Sequence, residues 1–566
     1  MGNVRIEGNL VDVINEDIYK AVITLSDGVI VSIERDDSLP DDMDYIMQGL
    51  IDAHVHIESS MLTPAEFARI AVRHGVVGVV TDPHEIANVL GEPGVDFMIE
   101  DSKRVRFNFL FGAPSCVPAT PFETSGAVLG PDAIERLMKR EEVGLLSEMM
   151  NYVGVLNDDA DVMAKIEIAK KYGKPIDGHA PALSGDGLAK YASAGISTDH
   201  ECSTIQEAEE KIKHGMKILI REGSAARNFD ALYPLIDMYP DDVMMCADDK
   251  HPDDLLDGYI DKMCAEAFRR GCGLLNVIKA GFLNAVKHYG IKHGEIKVGE
   301  RAEFIILDEN WKVKQTYIDG ERVYDEDGVT PEFWREKKKY GEEDVPNIMN
   351  HAAITREDIA VKADGDEALV NVIVAEDGNI RTSKEQAVLA VENGAIKASA
   401  DKDVLKMVVV NRYEKDAMPS VAYIKGFRLK RGALGSTVSH DCHNILCVGV
   451  DDDSIVKAVN RLVEIKGGLV VVDGDDVREL KLPFAGLMSN MYGRDVSNAY
   501  KELNAKVREM GSDFHAPFMT LSFMALLVIP ELKLSDKGLF DGNSFRFIDL
   551  KAERNLAPNV KSPCNV

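Results

Sequence analysis

Six side chains pose the chemical question: His54, His56, Glu148, His179, His200 and Asp248. The first two stand two apart in "LIDAHVHI" (50–57), and the others each end a separate apolar run: "VGLLSEM" (143–149), "PIDGHA" (175–180), "ISTDHE" (196–201) and "VMMCADD" (243–249). Side chains two apart on a strand share a face, so both imidazoles aim the same way and make half of a metal site. A lone HxH is more often packing; the further donors at strand ends give it weight. Four imidazoles and two carboxylates are too many for one tetrahedral ion and suit two divalent ions sharing a bridging carboxylate. Water on such a centre ionises near pH 7 rather than near 16, so hydrolysis is the natural use. Nitrogen and oxygen donors without thiolate mark the metals as borderline to hard.

Such a set needs a scaffold that gathers the ends of distant strands at one mouth. Residues 50–293 alternate short apolar runs with amphipathic stretches, the rhythm of repeated βα units. Three more runs, "VVGVVTD" (76–82), "FNFLFGA" (107–113) and "KILIREG" (217–223), bring the count to eight. Between them lie the helical candidates "TPAEFARIAVRHG", "DADVMAKIEIAKKYG" and "STIQEAEEKIKHG", the first and third opened by a Thr or Ser cap and all closed by Gly. Eight units make a (β/α)8 TIM-like barrel, whose chemistry sits at the carboxyl ends of the strands. The six donors, together with Asp82 and Glu222, fall at those ends.

The flanks read differently. Residues 1–49 alternate apolar and polar with Asp-Gly at a turn, and the pattern returns at 294–324. A small β-sandwich domain from 1–49 plus 294–350 is therefore expected beside the barrel of 50–293. The charged stretch "EFWREKKKYGEEDVPN" is the expected linker to an α/β unit over 351–566, so the chain as a whole is of α/β class.

Composition limits the partners. A formal charge of −30 argues against a phosphate backbone or an anionic membrane as partner and favours a small neutral or cationic substrate. Eight cysteines without CxxC pairing suit reduced thiols. The start "MGNVRIEGNL" has no basic-then-apolar leader, and "FMALLVIP" is far shorter than the roughly 20 residues of a membrane span. A cytoplasmic location is expected.

HxH, Glu, His, His and Asp on strands one, four, five, six and eight resemble the amidohydrolase superfamily, and "GEIKVGERAEFIILD" is similar to its return segment. More narrowly, "GLIDAHVHIESSML", "VVTDPHEIANVLG", "GHAPALSG", "STDHECST", "REGSAARN" and "CADDKHPDDL" resemble the bacterial and archaeal adenine deaminases, as does "SHDCHNILCVGV" in the last third. The resemblance implies metal-dependent hydrolysis of adenine to hypoxanthine and ammonia, in purine salvage. It implies a first metal on His54, His56 and Asp248, a second on His179 and His200, and Glu148 bridging in place of a modified lysine. Manganese or iron is implied, with zinc as an alternative, and a homodimer or tetramer would be usual. In physical terms, oxygen adds to C6 of the purine and the amino group must gain a proton before it leaves; Asp248 is placed to carry that proton.

Neighbouring residues carry two readings each. Asp82, His84 and Glu85 could orient the ligands or serve as acid, base and contact for the purine; His84 could instead cap the next helix. Glu201 would point away if its strand continued, which favours a structural role. Asp249 competes with Asp248, the residue that matches the family's position. Arg221 and Glu222 could contact adenine, gate the mouth or form a salt bridge. His440, Asp441, His443 and Asn444 could lid the mouth and touch the purine or hold a turn. The working set is thus Asp248, Glu148 and Asp82 for catalysis and Glu85, Arg221 and His443 for substrate. Rival readings are another cyclic amide or amine hydrolase with the same ligands, and a non-catalytic scaffold that has lost its metals.

Overall fold

A computed structural model describes residues 4–552 apart from 293, 338, 339, 342, 343 and 345. The eight runs form eight parallel strands: Leu50–His56, Val76–Thr81, Asn108–Ala113, Val143–Met149, Ile176–Gly178, Thr198–Asp199, Lys217–Arg221, and Val243–Cys246 continued by Asp248–Asp249. Consecutive strands pair in order. Between the fifth and sixth, Ser197 N donates to Ile176 O at 2.9 Å. The ring closes where Asp248 and Asp249 pair with Val55 and His56. The eighth strand is interrupted at Ala247, whose N–H turns to the buried Asp52 carboxylate at 3.2 Å.

The helices between strands start and stop where local chemistry dictates. Asp159 accepts from Asp161 N and Val162 N to open Ala160–Tyr172, and Gly173, at φ 64°, closes it. Thr204 accepts from Glu207 N to open Ile205–Lys213. Thr63 stands at the cap of Pro64–Ala71 without a side-chain bond, so Pro64 in the first turn fixes that start instead.

Strands from both flanks share one eight-stranded sheet: Tyr45–Gln48 lies between Val4–Asp12 on one side and Phe304–Leu307 on the other. Ile6, Leu10, Ile23, Ile46 and Phe304 form its own apolar core.

Residues beyond 350 build a nine-stranded sheet in which all neighbours are antiparallel except Glu367–Val374 with Ser420–Lys425. Strand Leu405–Val410 is buried on both faces. Val408 and Val410 pack under helix Asp452–Glu464, while Met407 and Val409 join an apolar core continuous with the barrel. That shared core docks this unit over the barrel mouth. Of the stretch expected to link the two, Trp334 bridges to Val105 and the Tyr340 ring lies 5.5 Å from Phe97; residues 338, 339, 342, 343 and 345 lie outside the described residues.

Candidate active site

The carboxyl ends of the barrel strands bring the six expected donors together, all buried. His54 and His56 leave the first strand on one face. His56 is aimed by its Nδ1, 3.1 Å from the Asp82 carbonyl oxygen, so that Nε2 faces inward. That Nε2 is 3.0 Å from Asp248 Oδ1 and 3.3 Å from Glu148 Oε1. His54 Nε2 is 3.5 Å from the same Asp248 oxygen, and its ring stacks on His200 at 4.4 Å. Glu148 sits in the middle: its second oxygen is 2.8 Å from His179 Nδ1 and 3.3 Å from His200 Nε2. Asp248 is held with φ at 57°, a left-handed conformation that a non-glycine residue keeps only under tertiary constraint.

The electrostatics follow from this packing. Burial lowers the pKa of His54. Burial alone would raise the two carboxylates, but imidazoles from several sides hold Glu148 well below the usual range, His179 foremost. Arg221 does the same for Asp248, with help from His54 and His56.

A ring of buried groups fixes the donors. Asp52 accepts from His54 N at 3.0 Å and from Tyr259 Oη at 2.6 Å, tying the first strand to the eighth. Asp199 accepts from Ala180 N at 2.9 Å and Glu201 N at 3.0 Å, and Lys211 Nζ reaches both Asp199 (2.9 Å) and Ala180 O (2.8 Å). Asn228 donates to the carbonyls of His200 and Cys202 and accepts from Arg221 N.

The outer wall belongs to Glu85 and to the unit beyond residue 350. Glu85 is on the first turn of helix His84–Leu90, between His440 Nδ1 at 2.6 Å and His443 Nε2. Ser439 N donates to His443 Nδ1, which leaves Nε2 to carry the proton toward Glu85. These two histidines hold Glu85 well below its usual pKa against the opposing effect of burial. The His440 ring stacks on Phe523 at 4.5 Å.

Several expectations find their places here. Glu148, Asp248, Glu85 and Arg221 line one cavity; Asp82 is not in its lining, but its carboxylate lies 3.1 Å from His84 Nδ1 and within 4.8 Å of donor atoms of His56 and Glu148, and His443 lies behind Glu85. His84 opens its helix yet turns its ring into the cavity, 4.5 Å from His56. Arg221 Nη1 pairs with Asp248 Oδ2 at 2.7 Å and with Glu201, and its buried Nε has no hydrogen-bond partner. Glu222 faces away from this cavity. Asp249 lines it and accepts from Ser59 Oγ at 2.5 Å. Asn444 holds a turn, bonding Arg412 N and Thr124 O.

Glu201 corrects the sequence reading. It was expected to point away, but the sixth strand ends at Asp199, so strand alternation no longer applies. Asp199 turns the chain, and the Glu201 carboxylate comes within 3.5 Å of His200 Nε2. Of the cluster offered as a lid over the mouth or a turn, His440 and Asp441 line the cavity, whereas His443 and Asn444 do not.

The donors fit divalent metal ions. They form overlapping groups, among them His54, His56 and Asp248; His54, Glu148 and His200; and His179, His200 and Glu201, with the donor atoms of each group within 4.8 Å of one another. Ligands at right angles, each about 2.1 Å from an ion, stand about 3 Å apart, the spacing seen around Glu148. Nε2 of both His54 and His179 is buried without a hydrogen bond, an arrangement that costs stability unless a Lewis acid takes the lone pair.

Comparison with known proteins agrees with this architecture. Residues 45–323 match the amidohydrolase family, and residues 379–546 match the adenine deaminase C-terminal domain. The chain is 49% identical over 557 residues to an adenine deaminase of Methanosarcina barkeri, covering 96% of this chain and 99% of that protein. It is 49% identical over 548 residues to an adenine deaminase of Salinibacter ruber, covering 96% and 98%.

Proposed function

The chain belongs to the adenine deaminase family of amidohydrolases, and from that premise we propose that it hydrolyses adenine to hypoxanthine and ammonia. The observation that carries the reading is the convergence of six side chains able to ligate a metal, from five strands, on one buried centre.

His54, His56 and Asp248 would hold one divalent ion and His179 and His200 another, with Glu148 between them. Ions bound there supply Lewis acidity and bring the ionisation of a coordinated water toward neutral pH. The nitrogen and oxygen donor set suits manganese or iron, with zinc as the alternative.

The remaining work belongs to the side chains. Water adds across C6 and N1, its oxygen to carbon and a proton to nitrogen. The C6–amino bond then breaks as the amino group takes the proton of the new C6 hydroxyl and leaves as ammonia, the oxygen remaining as the C6 carbonyl. Asp248 relays the proton: one oxygen faces His54 and His56, and the other is pinned by Arg221. Arg221 favours the ionised carboxylate, so Asp248 passes the proton on rather than keeping it. Glu85, ionised between His440 and His443, presents acceptor oxygens to a purine ring N–H. Asp82 acts through others, by holding His56 and His84. Glu201 and Arg221 together brace the side of the centre near His179 and His200.

Seven buried free cysteines among the described residues suit a reducing, cytoplasmic setting, and no described helix is long and apolar enough to cross a membrane. We place the enzyme in purine salvage as a homo-oligomer. The test is ammonia release by manganese-loaded protein over adenine, adenosine, guanine and dihydroorotate. Turnover of adenine is expected; turnover of dihydroorotate without adenine would overturn the substrate assignment.

A further inference from the structure

The free space among the catalytic side chains is about 30 Å³, enough for a water but too little for a bicyclic base. Its roof comes from the last third of the chain: Ile380, Phe523, Leu526 and Ile529. Directly beside it lies a chamber of about 520 Å³, bounded by Tyr152, Ser203, Ala231 and Arg381 among others. The two spaces share Ile380 and Ile529 in their walls, along with Glu201, Arg221 and Ala226. Of these shared walls, Glu201 and Arg221 are fixed by their ion pair, whereas the two isoleucines come from loop segments outside the barrel.

Those segments are tied to each other. Thr382 N donates to Pro530 O at 3.1 Å, Glu531 N donates to Thr382 O at 3.2 Å, and Thr382 Oγ1 donates to Leu532 O at 2.8 Å. They are also fastened to the roof. Lys533, with no exposed surface, sends its Nζ to Ile380 O at 2.7 Å and to Phe523 O at 2.8 Å. No described carboxylate lies within ion-pair distance of it. A buried amine without a counter-charge is costly, and its burial pushes the Lys533 pKa down to about 7. The contacts it makes in return are these two carbonyls, one on the segment carrying Ile380 and one on the turn Phe523–Ala525.

We propose that substrate reaches the catalytic cavity from this chamber through a gate formed by Ile380 and Ile529, and that Lys533 is the positioning residue that latches the gate closed. The proposal rests on the reading of the cavity as the deamination site. Opening the gate widens the cavity enough to admit the base; the two isoleucines then settle against the bound purine and exclude water, while in its absence they close down to the small cavity seen here.

Two measurements test it on the full-length, metal-loaded protein. In the first, Ala231→Cys, an exposed position in the chamber wall, is labelled with a bulky maleimide in a Cys564→Ser background; Glu300→Cys, exposed in a groove that shares no wall residue with the chamber, is the labelled control. Labelling at 231 is expected to lower kcat/KM for adenine at least tenfold, with the control unchanged. Equal kcat/KM before and after labelling at 231 would overturn the route. In the second, Lys533→Met frees the gate. A loosened latch raises KM about tenfold or more, the low end of what losing its two hydrogen bonds would produce, while kcat stays within about twofold. Amide exchange should accelerate in 378–382 and 528–531 but not in the barrel strands. A partly unfolded variant would lower kcat at constant KM and exchange everywhere; that result, or unchanged exchange in both segments, would overturn the latch. Exchange needs no turnover, so it judges the latch even if the wild-type protein left adenine untouched, an outcome that would instead sink the functional reading.

Discussion

Replacing Lys211 with Met should destabilise the barrel out of proportion to the volume changed. Lys211 and Asp199 are both fully buried, and the ammonium bonds Asp199 at 2.9 Å, Ala180 O at 2.8 Å and Glu207 at 3.1 Å. Burial alone would raise the Asp199 carboxyl; Lys211 outweighs it and holds the group below the usual carboxylate range. Methionine fills similar space but leaves that carboxylate with two N–H donors, from Ala180 and Glu201, and the weak S–H donor of Cys202. Breaking one half of a buried pair costs about 3–5 kcal/mol, because the remaining charge must stay desolvated or take up a proton. The same change releases the turn that presents His200 and Glu201, so metal content should fall with stability. Urea denaturation followed by circular dichroism reads the first effect and elemental analysis the second. The double variant Asp199→Asn with Lys211→Met removes the stranded charge and should recover part of the loss. A single variant within about 1 kcal/mol of wild type, or a double variant no more stable than the single, would refute the view that this pair braces the site.

Asp248→Asn keeps the shape of the proton relay but removes its basicity, and kcat should fall by about 10²–10⁴; a rate near wild type would remove Asp248 from proton transfer. Dialysis against a chelator should abolish turnover, and two equivalents of manganese or iron per chain should restore it; active protein that returns no metal on analysis would end the dinuclear reading. Wild-type stability relative to Lys533→Met should depend on pH with a defined sign. The folded pKa near 7 lies below the ordinary lysine value of 10.5, so the folded state releases its proton first and stability rises between those limits, by up to about 1.4 kcal/mol per pH unit. Below pH 7 the slope from this group vanishes; a relative stability that is flat from pH 7 to 10 in denaturation titrations would contradict the burial of an unpaired amine.

How much of this was legible beforehand depended on whether the information was periodic. Strand alternation and the position of polar residues at run ends located His54, His56, Glu148, His179, His200 and Asp248, because a barrel strand's direction and pleat fix where its last side chains go. Glu201 escaped the same rule, since its strand is only Thr198–Asp199 and a side chain, Asp199, sets the turn that follows. Asp52 and Lys211 carried no signal at all: their value lies in bonds to Ala247 and Ala180, partners outside their own elements.

The roof was the least legible part, for a related reason. Glu85 and His440 are brought together by docking of one unit on another, and docking is written in the apolar faces of Leu405–Val410 and its neighbours rather than near either residue. Lys533 makes the point most sharply. In "LKLS" it alternates with leucines as an exposed edge residue would, and only the packing of that strand beneath Ile380 and Phe523 turns a solvent-facing position into a buried one. A sequence that spends a charged side chain there accepts a folding cost whose one visible return is the position of the roof. Stability and access to the site therefore meet in a single residue, and substitutions at 533 should trade one against the other.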